Sequence, residues 1–330
     1  MENRKIKWGI LGTGRIAAVL ATALQVVDNS ELYAVGSRTK AKAEEFAVQY
    51  NVPNSFGSYE ELVSNPDVDV IYIATPHNLH LENVLLAMNH GKHVLCEKPL
   101  GVNRREVEIL IAKAKEKNVF LMEALWSRFL PRIIKTKELV DSGWIGDIKL
   151  LTAAFCFKSP HGPQHRHFNI DLCGGSILDI GIYNIFLSLL LFGKPEQISA
   201  IAGLSEQGGD NSASYTFKYQ KDMLAVMHSS FLVDSPIVAE IHGSNGKLIL
   251  ETRWFNLGNI KLIYPDGAEE IINFDVKSNG YEYEAQEVVN CILAGKTQSD
   301  LWSWDNSLLL VETMDSIRKA CGIIYPAQDY

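Results

Sequence analysis

The chain has little cysteine: five in 330 residues, at Cys96, Cys156, Cys173, Cys291 and Cys321, an odd number and widely scattered. No C-x-x-C pair occurs among them, which argues against a disulfide framework and predicts a reducing, cytoplasmic setting. No uninterrupted apolar run approaches the ~18 residues of a membrane span. The opening stretch from Met1 to Gly12 places charge before apolar residues, as a leader would. Its apolar part is only strand length and runs into a glycine turn, so it reads as a first strand and not as a signal peptide. Basic residues are outnumbered, 31 Lys and Arg against 39 Asp and Glu, giving a formal net charge of −8 and a pI near 5.6. Without a Lys/Arg stripe interleaved with aromatics, nucleic acid is not an expected partner, and neither is a membrane. Internal repeats and low-complexity segments are also missing.

What is present is a 47% hydrophobic share with 21% charge, the proportions of a globular chain with a sizeable core. The length exceeds one ordinary core and predicts about two domains. From Lys5 to about Glu123, short apolar runs (KWGIL, ELYAVGS, DVIYIAT, KHVLCE, VFLMEA) alternate with segments of helical spacing, such as Leu81 to Asn89 and Arg104 to Lys117. That alternation predicts an α/β domain with a parallel, doubly wound sheet. After Pro131 the texture changes. A helical segment, Ile133 to Ser142, and a very apolar one, Ile177 to Leu191, frame strand-like runs (IKLLTAAFCF, SASYTFKY, MLAVMHSSF, VAEIHG, KLILE) separated by turns such as GSNG and YPDG. These predict an α+β domain with an open, mostly antiparallel sheet. Helical stretches near Tyr283 to Leu293 and Ser303 to Cys321 close the chain. The expected division is 1–124 and 125–330, with the last helix able to fold back onto the first domain.

The first run ends in Gly12-x-Gly14-x-x-Ala17, after a strand and before a helix, the setting of a Rossmann dinucleotide turn. Gly12 allows the tight turn, Gly14 admits a pyrophosphate to the backbone, and the amides around Thr13, Arg15 and Ile16 face the anion. An ordinary tight strand-to-helix turn has the same pattern. At the end of the second strand, where a carboxylate would hold an NAD ribose, the chain has Gly36, Ser37, Arg38 and Thr39. A hydroxyl and a guanidinium suit a 2′-phosphate, with Lys42 one helical turn on, so NADP is preferred over NAD. The plain alternative is a solvated surface arginine. The fourth run stops at Thr75 and Pro76, at the carboxyl edge where ligands of open sheets bind. His77 and His80 follow without a third ligand at metal spacing, and the histidine-rich His161 to His167 reads as a mobile loop over a cleft, so no metal is expected.

Two further features suggest chemistry. In CEKPLGVN, Cys96 to Asn103, an apolar strand delivers Lys98 and a proline stiffens the exit. In LDIGIYN, Asp179 and Tyr183 stand four apart and share a helix face, although a core tyrosine bonded to backbone would look the same.

With GILGTGRIA, IATPHNLH, CEKPLGVN and GGSILDIGIYN in this order, the chain resembles the glucose-fructose oxidoreductase, inositol dehydrogenase and MocA (Gfo/Idh/MocA) family over nearly its whole length. EALWSRFLP, RHFNIDLCGGSILDIGIYN and NGYEYEAQEVVNCILAGK resemble its dimeric dihydrodiol dehydrogenase and NADP-dependent sugar dehydrogenase members. The resemblance implies a Rossmann domain followed by an open-sheet domain that mediates homodimerisation. It also implies hydride transfer between nicotinamide and a carbinol or carbonyl carbon of a cyclic diol or sugar, of the trans-dihydrodiol or aldopyranose type. Thr75, Pro76, Asn78, His80, Glu97 and Lys98 join the cofactor set. Lys98, Tyr183 and Asp179 become the catalytic group, Lys98 lowering the tyrosine's pKa from ~10 by ~1 to 3 units. Trp126, Arg128, Phe168 and Tyr183 become substrate contacts, with Phe155, Phe157, Trp254 and Tyr281 as further aromatic candidates. Where the family usually has a triple glycine, this chain has Gly174, Gly175 and Ser176, a change a helix start tolerates. A non-catalytic dinucleotide sensor of the same fold is the alternative function, and the pair Lys98 and Tyr183 disfavours it.

Overall fold

In the computed structural model, which describes residues 4–162 and 164–329, the chain divides into two units. One unit comprises residues up to Phe129 together with Val276–Leu308; the other comprises Leu130–Asp275 and the residues from Leu309 on.

The first unit is built on β1 (Ile6–Leu11), β2 (Ser30–Gly36), β3 (Asn54–Phe56), β4 (Val70–Ile73), β5 (His93–Glu97) and β6 (Leu121–Ala124). These strands pair in parallel in the order β3-β2-β1-β4-β5-β6. Every residue of β4 and β6 is buried, which is why these strands read as continuous apolar runs and not as alternating ones. The crossovers are α1 (Arg15–Ala23), α2 (Lys40–Tyr50), α3 (Tyr59–Ser64), α4 (His80–Asn89) and α5 (Arg104–Lys117). Local chemistry sets their ends. Asn103 accepts the Glu106 amide at 2.9 Å while Glu106 accepts the Val102 amide at 2.9 Å, a reciprocal cap that starts α5 directly after the lysine loop. Asn118, at φ 52°, closes the same helix.

The second unit carries α6 (Pro131–Asp141), β7 (Ile148–Cys156), α7 (Ile182–Phe192), β8 (Gln197–Leu204), β9 (Asp210–Lys218), β10 (Leu224–Ser230), β11 (Ala239–Gly243), β12 (Gly246–Leu250), β13 (Ile260–Ile263) and β14 (Glu269–Ile272). The sheet order is β14-β13-β12-β11-β7-β10-β9-β8, antiparallel except for the β7–β10 pair. Along β10, exposed and buried residues alternate, so one face of the sheet is covered and the other is open. Residues 170–192 are long and apolar enough to cross a membrane, but 89% of their most apolar window is buried inside the protein. This is a core helix by placement.

The expected boundary needs correction. Residues 276–308, including α8 (Tyr281–Leu293) and the first turn of α9 (Trp304–Ala320), belong with the first unit. The reason is an unfinished edge: the Leu121 amide of edge strand β6 donates to Thr297 O at 3.0 Å, and Trp304 Nε1 donates to Leu121 O at 3.0 Å. The buried carboxylate of Glu123 accepts both Trp302 Nε1 at 3.1 Å and Ser307 Oγ at 2.6 Å. Asn279 and Gln286 bond the backbone of Val19 and Asp28 at the far end of the unit. The rest of α9 lies with the second unit.

Candidate active site

The cradle predicted after β1 is present. Gly12 has φ +106°, and a Cβ there would lie 3.0 Å from Ala74 O, so glycine is required by both the backbone and the space. Gly14 is the N-cap of α1 with no side-chain cap, and the space where its Cβ would stand is open. The first amides of α1 are therefore left for an anion. The Thr13 and Ser37 hydroxyls approach to 3.3 Å, joining the ends of β1 and β2. Arg15, Arg38 and Lys42 are exposed, and Ile16 is half-buried. Arg38 stands near Tyr59, whose pKa burial raises while the guanidinium pulls it down.

At the ends of β4 and β5, α4 ties two loops together. His80 is fully buried, its Nδ1 2.7 Å from Pro99 O and its Nε2 2.9 Å from Thr75 O. Asn83 Nδ2 donates to Thr75 Oγ1 at 3.3 Å and to Leu79 O at 2.8 Å. Burial keeps the pKa of His80 below its usual value, against the pull of the two carbonyls. His80 was expected to touch cofactor. With both nitrogens turned to backbone it instead holds the segment after Lys98, whose peptide to Pro99 is cis. Glu97 is likewise turned inward, and its Oε1 accepts the Tyr72 hydroxyl. Beside it Glu284 is fully buried with neither carboxylate oxygen bonded, and burial with the Glu97 charge holds its carboxyl well above the usual range. Lys98 is half-buried at the carboxyl end of the sheet, and Asn78 Oδ1 is a buried acceptor with no partner among the described residues.

A nicotinamide dinucleotide fits these residues: an open glycine turn at an uncapped helix start, a hydroxyl and a guanidinium after β2, and an unsatisfied acceptor at Asn78.

In the second unit, Asp179 lies in a π-helical turn, Ile177–Gly181, that leads directly into α7 and Tyr183. Arg166 Nη1 is 3.5 Å from Asp179 Oδ1, and His167 Nε2 is 3.9 Å from its Oδ2. Tyr183 is buried, with the rings of Phe255 at 5.0 Å and Phe155 at 5.7 Å from its own. Phe155 and Phe255 are stacked at 4.1 Å.

Several expected contacts have other partners. Trp126 stacks on Tyr281 at 4.4 Å, both within the first unit, so this ring seats α8. Arg128 is buried with Nε donating to Leu301 O at 2.9 Å, a brace for the same returning segment. Phe168 belongs to a buried cluster with Ile180 and Phe231. Trp254 is fully buried and donates to Ala154 O at 3.1 Å. The loop expected to be mobile is anchored at its end: His167 is buried, stacked on Phe231 at 4.6 Å and bonded through Nδ1 to Ser159 Oγ at 2.9 Å. Burial takes its pKa down to about 4, with Asp179 pulling up and Arg166, His165 and His161 pushing down. Pro163 of that loop lies outside the described residues. No group of three or more His, Cys, Asp or Glu side chains suited to a metal occurs among the described residues.

Residues 6–125 match an oxidoreductase family described as having an NAD-binding Rossmann fold, and residues 133–249 match the GFO/IDH/MocA C-terminal domain. The chain is 38% identical over 330 residues to trans-1,2-dihydrobenzene-1,2-diol dehydrogenase of Mus musculus, covering 97% of this chain and 98% of the relative. It is 34% identical over 328 residues to scyllo-inositol 2-dehydrogenase (NADP(+)) of Bacillus subtilis (strain 168), covering 98% and 99%. Among solved structures, the aldose-aldose oxidoreductase from Caulobacter crescentus superposes with a TM-score of 0.88 at 25% identity, covering 97% of this chain and 98% of that one.

Proposed function

Because the chain belongs to the Gfo/Idh/MocA oxidoreductase family and is an oxidoreductase of cyclic diols or sugars that uses a nicotinamide dinucleotide, we propose that NADP is its cofactor and that Lys98, Tyr183 and Asp179 carry the proton chemistry. The observation that carries the reading is the position of Lys98, at the carboxyl end of β5 in the same sheet whose β1 turn forms the open glycine cradle. Gly12, Thr13, Gly14, Arg15 and Ile16 hold the pyrophosphate, and Ser37, Arg38 and Lys42 take the 2′-phosphate. Thr75, Pro76 and Asn78 border the rest of the cofactor. Bound NADP would exchange the hydride with the substrate carbon.

The chain's own residues move the proton. Tyr183 exchanges the hydroxyl proton of the substrate, Lys98 holds the substrate oxygen and favours the phenolate by its charge, and Asp179 orients a substrate hydroxyl or the tyrosine. The tilted rings of Phe155 and Phe255 beside Tyr183 suit the apolar face of a cyclic substrate. The open face of the second unit's sheet, where Ile201 is 74% exposed beside Leu224 and Val226, supports homodimerisation. Five cysteines recorded as free thiols support a cytoplasmic location.

The test is reduction of NADP⁺ and NAD⁺ with a panel of trans-dihydrodiols and aldopyranoses, for the native protein and for Arg38→Ala, Lys98→Met and Tyr183→Phe. Loss of one charge-assisted phosphate contact, about 1.5–3 kcal/mol, predicts a roughly 10- to 100-fold fall in kcat/KM for NADP⁺ in Arg38→Ala, with NAD⁺ little changed. Tighter binding of NAD⁺ by the native protein would overturn the cofactor reading. Full turnover by both Lys98→Met and Tyr183→Phe would overturn the mechanism.

A further inference from the structure

The π-helical turn that carries Asp179 is held from beneath by a carboxylate with no part in the chemistry above. Asp210, at the first position of β9, is fully buried. Its Oδ2 accepts the Ser176 hydroxyl at 2.7 Å and the Ile177 amide at 2.9 Å, the residues that open the turn. Ser176 Oγ also lies 2.9 Å from Ser229 Oγ on β10. Gly175, at φ +141°, passes so close that a Cβ would stand 2.1 Å from Asp210 Oδ1. The far end of the turn is held by the same two strands: Tyr215 OH on β9 donates to Gly181 O at 3.2 Å, and Asn184 Nδ2 donates to His228 O on β10 at 2.9 Å. A Cβ on Gly181 would meet that tyrosine oxygen at 2.9 Å. Strands β9 and β10 thus grip the turn at both ends, with Asp179 between the grips and Tyr183 two residues beyond the second.

We propose that Asp210 is a positioning residue for the reaction: through Ser176 and Ile177 its carboxylate fixes the turn that presents Asp179 and Tyr183, and turnover requires it in the ionised form. This rests on the reading of Asp179 and Tyr183 given above. The ionised carboxylate accepts two hydrogen bonds on one oxygen and sets a negative charge at a helix start, where it is stabilising. Protonation weakens both bonds and removes the charge, loosening the grip at the end nearer Asp179. Burial pushes this carboxyl up to about 6, against the Ser176 hydroxyl and the Ile177 amide, which favour the charge. The titratable groups that feel it are Tyr215, Tyr325 and Cys321, all neutral at that pH because burial raises each of them. Ser176, standing where the family usually has a third glycine, gives this chain one more bond to the carboxylate.

The experiment is the pH dependence of kcat between pH 5 and 8 for the native protein, Asp210→Asn, Ser176→Gly and Tyr183→Phe, with NADP⁺ affinity read separately by fluorescence titration and folding by thermal melting. The expected result is an acid limb on kcat near pH 6 in the native protein. In Asp210→Asn that limb disappears and kcat falls ~10-fold or more, as for misplaced catalytic groups. In Ser176→Gly the limb moves to higher pH, because one bond favouring the charge is gone, and NADP⁺ affinity is unchanged in both variants. An unchanged limb in either variant would overturn the proposal, and so would activity that falls only in step with melting temperature or NADP⁺ affinity. If Asp210→Asn does not fold, Ser176→Gly decides. Full activity in Tyr183→Phe would instead refute the underlying reading of the site.

Discussion

Glu284→Gln is predicted to make the first unit less sensitive to alkaline pH. Glu284 is fully buried in α8, neither oxygen finds a hydrogen bond, and the Glu97 charge adds to the penalty on ionisation. Its carboxyl is therefore neutral in the folded protein well above its ordinary value of 4.5. In the unfolded chain it ionises near that ordinary value, so folding takes up a proton across the whole neutral range. The sign follows: the folded state binds more protons, and stability falls as pH rises above 4.5 until the folded carboxyl itself ionises. The slope for one group is about 1.36 kcal/mol per pH unit, so from pH 5.5 to 7.5 the loss reaches about 2.7 kcal/mol. Glutamine is nearly isosteric and cannot ionise, and it lacks this term. Hydrogen exchange of the slowest amides of β1 and β4, compared for the native chain and Glu284→Gln at the two pH values, measures it directly. The native protein should lose ground to the variant by up to about 2.7 kcal/mol on going to pH 7.5. A difference that stays the same at both pH values would refute a neutral buried Glu284.

Gly12→Ala should both destabilise the first unit, by about 1–3 kcal/mol from forcing a side chain into its positive φ, and abolish dinucleotide binding; denaturant unfolding and NADP⁺ fluorescence titration read the two effects. Arg128→Met removes the donor to Leu301 O while keeping most of the buried stem, and should cost about 1–3 kcal/mol, seen as faster proteolytic cleavage around residues 299–303.

The doubly wound sheet was legible because β4, β5 and β6 are buried on both faces and leave continuous apolar runs bounded by turn residues. The second sheet was legible from alternation, as in β10, and from glycine turns. What the sequence hid was the partner of each buried face. Tyr281 to Leu293 shows the spacing of a helix with one covered side, but that spacing is the same whichever unit covers it. Trp126 and Arg128 are side chains of the kind that bind ligands, and only the positions of Tyr281 and Leu301 show that they are used for packing and bracing. The glycine cradle, Ser37, Arg38 and Lys98 were readable because each follows directly from a strand end. Asp210 was missed because its partners are 33 and 34 residues away in sequence. The one local sign was an acid standing after a glycine pair at the head of an alternating strand. The π-helical turn leaves no periodic trace, since Asp179 and Tyr183 are four apart in either helix type.

The return of residues 276–308 to the first unit also bears on the order in which the chain can fold. Edge strand β6 is made early, but Thr297, which pairs with its backbone, and Trp302 and Ser307, which satisfy Glu123, are made only after all of 130–275. At ~5–20 residues per second on the ribosome, the nascent dinucleotide sheet waits roughly 10–30 s with a bare edge and a buried carboxylate lacking its donors. The cofactor half is thus the first to begin and among the last to be finished, and a fragment cut at residue 124 would correspond to that waiting intermediate rather than to a domain.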